Sequence, residues 1–383
     1  MKGSKMSEET RYMENELLNL LDAFKELNSD LDVKVVFQNI ILQMAKLLDA
    51  EAGTLWVTDP DRDVIKATAV YGPTSSNILK VELKMDEGIV GKVICSGKLQ
   101  LISDVSTDPA WAPRVDKDSG FTTKSMLTVP LIAKGKAIGA MQLLNKKNGQ
   151  NFTRKDAQMA LVLANQSALA LYNSQMFEEI QNINLSMIRT LAKTLDKRDP
   201  YTAGHSERVA TYSKWMALKI GLDTKTCEEL YKAALLHDIG KIGIPDEILR
   251  KPTKLSNEEY EIIKKHPEIG ADILSTMEPK RTIMNAVETA RYHHERLNGS
   301  GYPDQLAGKE IPLFAKIVGI ADTFDAMTTD RPYNKGLSYH EAAKELMTCK
   351  DTHFDEALVI AFLTALEERK YITIEEGHAL EGR

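Results

Sequence analysis

A long segment without glycine or proline most narrowly limits the folds open to this chain. Neither residue occurs between Thr153 and Asp196, and apolar side chains recur there with helical spacing. Glycine and proline are the residues that most weaken a helix interior, so the segment predicts one long helix. A chain of 383 residues is also long enough for two domains. We therefore expect a linker helix over 157–196 that joins an N-terminal to a C-terminal domain.

The apolar positions of this helix repeat every seven residues. One series is Val162, Leu169, Met176 and Ile183, and the interleaved series is Gln166, Asn173, Ile180 and Met187. Such an a/d seam with two polar a positions is typical of a parallel two-stranded coiled coil with a defined register. The pattern predicts a homodimer formed through the linker. The alternative is an amphipathic helix packed on its own domain.

Histidines divide the chain at the same place. All eight lie at or after His205, so chemistry that needs imidazole is confined to the C-terminal half. His237 and Asp238 end an apolar helical run, and this pair suits Fe, Mn, Zn or Ni better than Mg or Ca. A carboxylate can bridge two ions, which makes Asp238 a candidate for a binuclear centre. Taken alone, His237 could instead be a satisfied buried histidine.

Further candidate ligands make that alternative less attractive. They are His205, His266, His293, His294 and Asp322. Several histidines on otherwise apolar helices are hard to explain as core residues, because buried polar groups need partners. We therefore predict a metal site here, and treat His340, His353 and His378 as structural or surface residues.

Periodicity predicts an α+β multidomain protein. The N-terminal half has helical patterns over 11–28 and 32–48. Strand patterns follow over 54–57, 64–70, 99–102, 125–131 and 137–144. After Asp199 the chain is helical, with a helix over 205–220, an apolar helix over 230–239, and capping boxes at Ser256 and Ser338. The C-terminal domain is therefore expected to be all-α.

Composition excludes several classes of protein. A hydrophobic content of 43% excludes predominant disorder, and a net charge of −6 does not suit a duplex-DNA binder. The three scattered cysteines do not form a disulfide framework, which suggests a reducing compartment. No apolar run approaches the roughly 18 residues of a membrane span. We expect a cytoplasmic protein that binds neither membrane nor a nucleic-acid polymer.

The C-terminal motifs closely resemble the HD-GYP family of bacterial cyclic di-GMP phosphodiesterases, a branch of the HD metallohydrolase superfamily. The resemblance runs from about Lys197 to Leu366. It rests on the segments 198–205 (RDPYTAGH), 237–245 (HDIGKIGIP), 266–267 (HP), 293–295 (HHE), 299–303 (GSGYP), 321–322 (AD) and 330–333 (DRPY). Asn298 stands where the family more often has Asp, and Asn can make a similar turn.

The resemblance implies a centre of two or three metal ions. The first would be held by His205, His237, Asp238 and Asp322, and the second by Asp238, His266, His293 and His294. Asp199 and Glu207 are candidates for an additional acidic ligand, and the choice between two and three ions stays open. Iron is the implied metal, with manganese as the alternative.

The implied reaction is attack on phosphorus by a metal-activated water. Lys241 is the cation expected to stabilise the added charge or to protonate the leaving oxygen, and a solvated lysine is the alternative. Gly301, Tyr302 and Pro303 would form a close-approach loop on which a guanine stacks through the tyrosine ring. Arg331 and Lys335 would bind the second phosphate, unless this segment is simply a surface turn.

The N-terminal half resembles GAF sensor domains over about 31–172, in which helices flank an antiparallel sheet. The similar segments are 87–91 (EGIVG), 129–131 (VPL) and 138–146 (IGAMQLLNK). Asn145, Lys146, Phe152 and Asp156 match most of a signature of cyclic-nucleotide-binding GAF domains, although Ala157 replaces its final Glu. That signature is largely structural, so the small-molecule ligand is unknown, and the domain could serve only dimerisation.

The predicted organisation is an N-terminal helix (1–30), a GAF domain (31–172), the overlapping linker helix and an HD-GYP domain (197–383). The predicted function is hydrolysis of cyclic di-GMP to linear pGpG, GMP or both, under regulation by the GAF domain. Two alternatives remain. One is a non-catalytic cyclic di-GMP receptor, and the other is a nucleoside-phosphate phosphohydrolase.

Overall fold

The computed structural model describes residues 33–59, 61–73, 75–199, 204–330 and 335–372. The chain divides into two compact units, Met1–Gln181 and Asn182–Arg383. The helix expected within residues 1–30 lies outside the described residues, and the predicted domain boundaries stay predictions.

The first unit is a six-stranded antiparallel sheet with helices. Helix α1 (Val33–Leu47) precedes it. The strands are β1 (Ala50–Asp59), β2 (Val64–Tyr71), β3 (Glu82–Lys84), β4 (Gln100–Ile102), β5 (Met126–Ala133) and β6 (Lys136–Lys146). They are ordered β3-β2-β1-β6-β5-β4. Short helices α2 (Ser75–Ile78), α3 (Gly88–Ser96) and α4 (Pro113–Ser119) lie in the connections. The predicted mixed α and β architecture is confirmed. Strand β3 was not among the predicted strands, because three residues are too few to show a strand pattern.

Each face of the sheet carries its own core. Alternate residues of a strand point to opposite faces, so Leu55 packs in one core and its neighbour Trp56 in the other. Helix α1 and the first part of the long helix cover the Leu55 face, and α3 covers the Trp56 face. Both side chains are almost fully buried.

Asn145 fastens the end of β6 to two neighbouring segments. Its backbone has a positive φ of 49°. Its side-chain oxygen accepts hydrogen bonds from the amides of Lys124 (2.8 Å) and Ser125 (3.2 Å). Its side-chain nitrogen donates to Glu51 (2.9 Å) and to the carbonyl of Thr122 (3.0 Å). Four bonds from one buried amide give this signature residue a structural role.

The neighbouring signature residues are also structural. Lys146 donates to both carboxylate oxygens of Asp156 at 3.0 Å. Phe152 is buried, with the Lys146 ammonium 5.9 Å from its ring centroid. Thr153 and Asp156 cap the following helix reciprocally, because the Thr153 amide donates to the carboxylate and the Asp156 amide to the hydroxyl.

That helix, α5, is continuous over Arg154–Arg198, which confirms the predicted long helix. In the first unit its buried side chains include Leu163 and Leu171. The predicted seam lies elsewhere on its surface: Val162 is 55% exposed and Ile183 is 47% exposed in the single chain. The intramolecular packing therefore leaves seven of the eight heptad positions exposed, and Met176 is half-buried.

The second unit is helical, and no strand occurs among its described residues. Its helices are α6 (His205–Lys219), α7 (Thr224–Leu235), α8 (Asp246–Leu249), α9 (Asn257–Ile263), α10 (His266–Ser275), α11 (Lys280–Tyr292), α12 (Leu313–Thr328), α13 (Tyr339–Thr348) and α14 (Glu356–Glu368). Short 3₁₀ turns cover Ile239–Gly243 and Gly308–Glu310. The capping boxes at Ser256 and Ser338 are both confirmed.

Helix α7 ends earlier than its apolar pattern predicts. We expected a helix over 230–239, but α7 stops at Leu235 and a 3₁₀ turn follows at Ile239–Gly243. Gly240 in that turn lies against α10, and a Cβ atom there would be 1.9 Å from the carbonyl oxygen of His266. The apolar run thus continues past the end of α7 into a glycine turn that packs closely against another helix, which hydropathy does not report.

Replacing Asn145 with Ala should lower the free energy of unfolding of the first unit by about 2–3 kcal/mol. The change leaves two amides without their acceptor and keeps a left-handed backbone on a non-glycine residue. Urea unfolding can be followed by tryptophan fluorescence in a Trp215→Phe background, which leaves Trp56 and Trp111 as reporters of the first unit.

Asn148→Ala is the matched control for this prediction. Asn148 is exposed, and among the described residues its side chain hydrogen-bonds to Gln150, so the expected effect is below about 0.5 kcal/mol. Equal unfolding midpoints for the two variants would contradict the structural role of Asn145.

Candidate metal centre

The predicted metal ligands converge on one buried cluster in the second unit. They come from helix ends and turns, except for Asp322 in the middle of α12. His205 is the first residue of α6, His237 and Asp238 follow α7, His266 begins α10, and His293 and His294 follow α11. Three overlapping groups of these side chains have ligand atoms within 4.8 Å of one another.

Asp238 lies between two sets of histidines. Its Oδ1 atom is 3.2 Å from Nε2 of His266 and 3.8 Å from Nε2 of His293. Its Oδ2 atom is 3.5 Å from Nε2 of His237 and 3.7 Å from Nε2 of His205. Each carboxylate oxygen therefore faces a different pair of ring nitrogens, as a bridging ligand requires.

Asp322 contacts the second of these sets. Its Oδ1 atom lies 3.3 Å from Nε2 of His205 and 4.0 Å from Nε2 of His237. His294 joins His266 and His293 on the other side, in a group with Asp238. The arrangement thus contains two ligand sets that share Asp238.

Three of the histidines are oriented by the ends of helices. Nδ1 of His237 lies 2.7 Å from the carbonyl oxygen of Ala234, and Nδ1 of His266 lies 2.7 Å from that of Ile263. Nδ1 of His293 lies 3.0 Å from the carbonyl oxygen of Ala290. A carbonyl only accepts, so Nδ1 carries the proton in each ring. Nε2 is left with its lone pair directed into the cluster.

His205 is oriented by a carboxylate instead. Its Nδ1 atom lies 2.7 Å from Oδ2 of Asp325, which is itself buried. Arg208 donates to both oxygens of that carboxylate, at 2.6 and 2.9 Å. This carboxylate–histidine pair holds the ring with Nε2 facing Asp238 and Asp322.

Two features of the ring nitrogens show that the cluster is suited to cations. Among the residues that the structure describes, none hydrogen-bonds to Nε2 of His237, which is fully buried. Nε2 of His266 and Nε2 of His293 lie 3.4 Å apart, and neither carries a proton when Nδ1 does. Buried acceptors without donors are costly unless a cation satisfies them. The donor set therefore fits divalent metal ions.

Burial and neighbouring charges shift the pKa values of the cluster. Burial lowers the pKa of His293 to about 3, and it also lowers the pKa values of His237 and His294, so these rings are neutral. Burial alone would raise the pKa of Asp238, but Lys241 and the surrounding histidines hold it well below its usual range. The bridging carboxylate is therefore ionised.

His205 differs from the other histidines. Burial lowers its pKa, but hydrogen bonds to Asp322 and Asp325 outweigh that effect and raise the pKa to about 10. These carboxylates thus favour positive charge beside the ring, which a divalent ion bound at Nε2 would also supply.

Lys241 lies at the edge of the cluster. Its ammonium is 2.7 Å from Oδ2 of Asp238 and 3.6 Å from Asp199. Burial would lower the pKa of Lys241, but the two carboxylates outweigh it and raise the pKa above its ordinary value. Lys241 is therefore charged at neutral pH. Its low exposure does not fit the alternative of a solvated lysine.

A cavity of about 580 Å³ opens onto the cluster. It is lined by the ligands His205, Asp238, His266, His294 and Asp322 and by Lys241, Tyr302 and Lys335. A neighbouring cavity of about 660 Å³ is lined by Gly301, Tyr302 and Pro303. Arg331 lies outside the described residues. The other predicted substrate contacts thus border the metal cluster.

The Gly301–Pro303 loop approaches the backbone closely, as its composition suggests. A Cβ atom at Gly301 would lie 2.4 Å from Cα of Glu295. The Tyr302 ring stacks on His294 with centroids 4.7 Å apart, and the ammonium of Lys264 is 5.7 Å from its centroid. One face of the tyrosine is therefore occupied by a candidate ligand, which sequence reasoning did not reveal.

Other residues of the site were missed by sequence reasoning. Asp325 follows Asp322 by three residues on α12, and that helical spacing is the signal that could have identified it. Tyr260 and Arg296 also line the cavity. Nothing in their local patterns indicates this, because they reach the site from separate elements.

The two candidates for an additional acidic ligand lie differently. Asp199 is near the cluster through its contact with Lys241. Glu207 instead accepts a hydrogen bond from the hydroxyl of Tyr231 and pairs with Arg189 at 3.4 Å. Within the described part of the chain, neither acid belongs to the groups that could hold a metal.

Family comparisons agree with the two units. Residues 30–171 match the family of the GAF domain, and residues 189–358 match the family of the HD domain. A divalent metal is expected of an HD domain, and the His and Asp cluster lies within the matched segment.

Three relatives illustrate the similarity. A 3′3′-cGAMP-specific phosphodiesterase 2 of Vibrio cholerae serotype O1 is 34% identical over 57% of this chain and 42% of its own. A cyclic di-GMP phosphodiesterase of the same organism is 36% identical over 56% of this chain and 45% of its own. A cyclic di-GMP phosphodiesterase of Thermotoga maritima is 40% identical over 51% of this chain and 52% of its own.

This chain thus spans about half the length of the relatives it matches. The predicted fold and family resemblance are confirmed: the chain carries a GAF domain followed by an HD domain, and its HD domain is related to those of cyclic di-GMP phosphodiesterases.

Proposed function

We propose that this protein is a metal-dependent phosphodiesterase that hydrolyses cyclic di-GMP. The observation that carries the proposal is the orientation of four histidine rings. In each ring Nδ1 is hydrogen-bonded to an acceptor and Nε2 faces Asp238. These rings belong to His205, His237, His266 and His293. The names of the relatives supply the substrate class. A pure binding site would not need this concentration of buried ligands.

We propose two ions at this centre, with Asp238 as the shared ligand. His205, His237 and Asp322 would complete one set, and His266, His293 and His294 the other. Divalent ions bound there would acidify water and neutralise phosphate charge near neutral pH. A mixed set of imidazole and carboxylate ligands suits iron, with manganese as the alternative.

Lys241 is proposed to act on the phosphate during the reaction. Its raised pKa keeps the ammonium protonated, so it is suited to stabilising negative charge that develops on phosphate oxygens. It also carries a proton that can pass to the leaving oxygen, and the neutral lysine would then regain a proton from solvent. Asp238 and Asp199 hold the ammonium at the rim of the cavity.

The cavity is large enough for a dinucleotide by the usual size of ligand sites. We propose that Lys335 and Arg331 bind the distal phosphate and that Tyr302 contacts a guanine. Because His294 covers one face of the tyrosine, the base would approach the opposite face or the ring edge, beside Lys264.

The GAF domain is proposed to regulate the reaction, either by binding a small-molecule ligand or through the dimer.

None of the helices described by the structure combines the length and apolar character needed to cross a bilayer. The three cysteines are unpaired, which supports a location in the reducing cytoplasm.

The decisive experiment combines metal analysis of anaerobically purified protein with chromatography of products formed from cyclic di-GMP. We expect about two ions per chain and conversion to pGpG or GMP. Asp238→Ala should lose more than one equivalent of metal and all turnover. A metal-loaded protein that binds cyclic di-GMP without converting it would support the receptor alternative.

Two further substrates separate the remaining possibilities. Parallel incubation with 3′3′-cGAMP tests whether the chain shares the specificity named for one relative. Incubation with GTP tests the phosphohydrolase alternative. Turnover of GTP without turnover of either cyclic dinucleotide would overturn the proposed function.

Lys241→Ala should leave the metal content near normal and lower kcat by roughly 100-fold, as expected for loss of a charge stabiliser or general acid. Steady-state kinetics and metal analysis on the same preparation would check this. Lys219→Ala is the control, since Lys219 pairs with Glu368 and does not line the cavity. An unchanged kcat would remove Lys241 from the reaction.

The proposed dimer uses the exposed heptad seam of α5. Replacing Met176 and Ile183 with Glu should give monomers in sedimentation velocity, because the seam would then bury four like charges. Gln181→Glu with Asn182→Glu is the matched control, since both residues are exposed and lie off the seam. Dimers that persist in the Met176 and Ile183 variant would show that another surface joins the chains.

A further inference from the structure

The C-terminal end of α5 is bonded to the turn that carries Lys241. Arg198 is the last residue of α5, and its guanidinium donates to three backbone carbonyls of that turn region. The distances are 2.8 Å to Lys241, 2.8 Å to Ile242 and 2.6 Å to Ile244. Its Nε atom also donates to Asp246 at 2.9 Å.

The next residue contacts the side chain of the same lysine. Asp199 lies 3.6 Å from the Lys241 ammonium and is buried. The pair Arg198 and Asp199 therefore holds both the backbone and the charged group of Lys241. Within the turn, the Lys241 amide donates to the backbone carbonyl of Asp238, and the Lys241 carbonyl also accepts from the amide of Ile244.

Packing also holds the turn. Gly240 and Gly243 both lie close to α10, and Ile244 is buried, whereas Ile242 is 58% exposed. Arg198 thus adds side-chain hydrogen bonds to the backbone of a turn that otherwise packs against α10.

We infer that Arg198 is a positioning residue that fixes Lys241 for the reaction and ties it to the end of the linker helix. This inference rests on the proposed phosphodiesterase function. A planar guanidinium can reach three carbonyls at once, which a lysine ammonium on a flexible stem does not reproduce. A displacement of the Lys241 ammonium of about 1 Å is enough to slow a reaction by up to about 100-fold.

The hydrogen bonds of Arg198 also join the end of the linker helix to the turn. Because Arg198 belongs to α5, any shift of the helix end relative to the turn changes the same three hydrogen bonds. The position of the last helical turn is therefore coupled to the position of Lys241 through one side chain.

The test is a double-mutant cycle between Arg198 and Lys241, with kcat and KM for cyclic di-GMP and metal content measured for each variant. Arg198→Ala should lower kcat by about 10- to 100-fold, leave KM within about twofold and keep the metal content normal. In the Lys241→Ala background, Arg198→Ala should change kcat by less than about twofold, because it acts through the lysine.

Two controls identify the cause of any loss. Arg198→Lys keeps the charge, so restored activity in that variant would overturn the positioning role in favour of a general charge effect. Arg189→Ala removes another arginine of α5, one bonded to Tyr231 and away from the turn, and should leave kcat unchanged. Multiplicative losses in the double mutant, or loss of metal in Arg198→Ala, would also overturn the inference.

Amide hydrogen exchange provides a readout that does not need activity. Arg198→Ala should speed exchange over residues 240–244 by about tenfold or more, with α12 unchanged, and an unchanged rate in that turn would contradict the inference. If wild-type protein does not hydrolyse cyclic di-GMP, the proposed function fails, while this exchange measurement still decides whether Arg198 holds the turn.

Discussion

The metal cluster depends on the hydrogen bond between a histidine Nδ1 and a carbonyl at the end of a helix. The last carbonyls of a helix have no partner within it, and a ring N–H buried in an apolar interior needs an acceptor. His237, His266 and His293 meet both needs at once, each bonding the carbonyl three residues earlier. The same bond fixes the tautomer and aims Nε2 inward, so the capping of each helix end and the orientation of its ligand have one physical cause.

Burial of Asp238 requires compensation from several directions. An ionised carboxylate in an apolar interior is costly unless it is paired. Here the histidine rings and Lys241 surround it, and they hold its pKa low against the effect of burial. Lys241 is in turn shared with Asp199, so the charge balance of the cluster extends to the residue that follows the long helix.

Helix α5 makes different contacts along its length. Leu163 and Leu171 pack in the first unit, whereas Ala192 and Leu195 are buried in the second. Between them, Ile180 and Met187 remain 61% and 63% exposed in the single chain. Because one continuous helix carries the exposed seam and ends at Arg198, the proposed dimer and the proposed coupling to Lys241 involve separate parts of the same element.

Much of the architecture follows from local patterns in the sequence. The Gly- and Pro-free segment determined the long helix, the capping boxes determined the starts of α9 and α13, and short strand-like apolar runs indicated five of the six strands. The adjacent His237 and Asp238 marked the cluster. All of these signals depend on residues within a few positions of one another, where periodicity and capping act.

Only the tertiary structure decided how the site is assembled. It showed that Asp325 orients His205 from 120 residues away, that each oxygen of Asp238 faces a separate pair of rings, and that His294 covers one face of Tyr302. It also showed that α7 ends at Leu235 and that Gly240, in the turn that follows, packs closely against α10. These features arise where ends of distant helices meet, and the atoms in contact there are not related by any regular spacing along the chain.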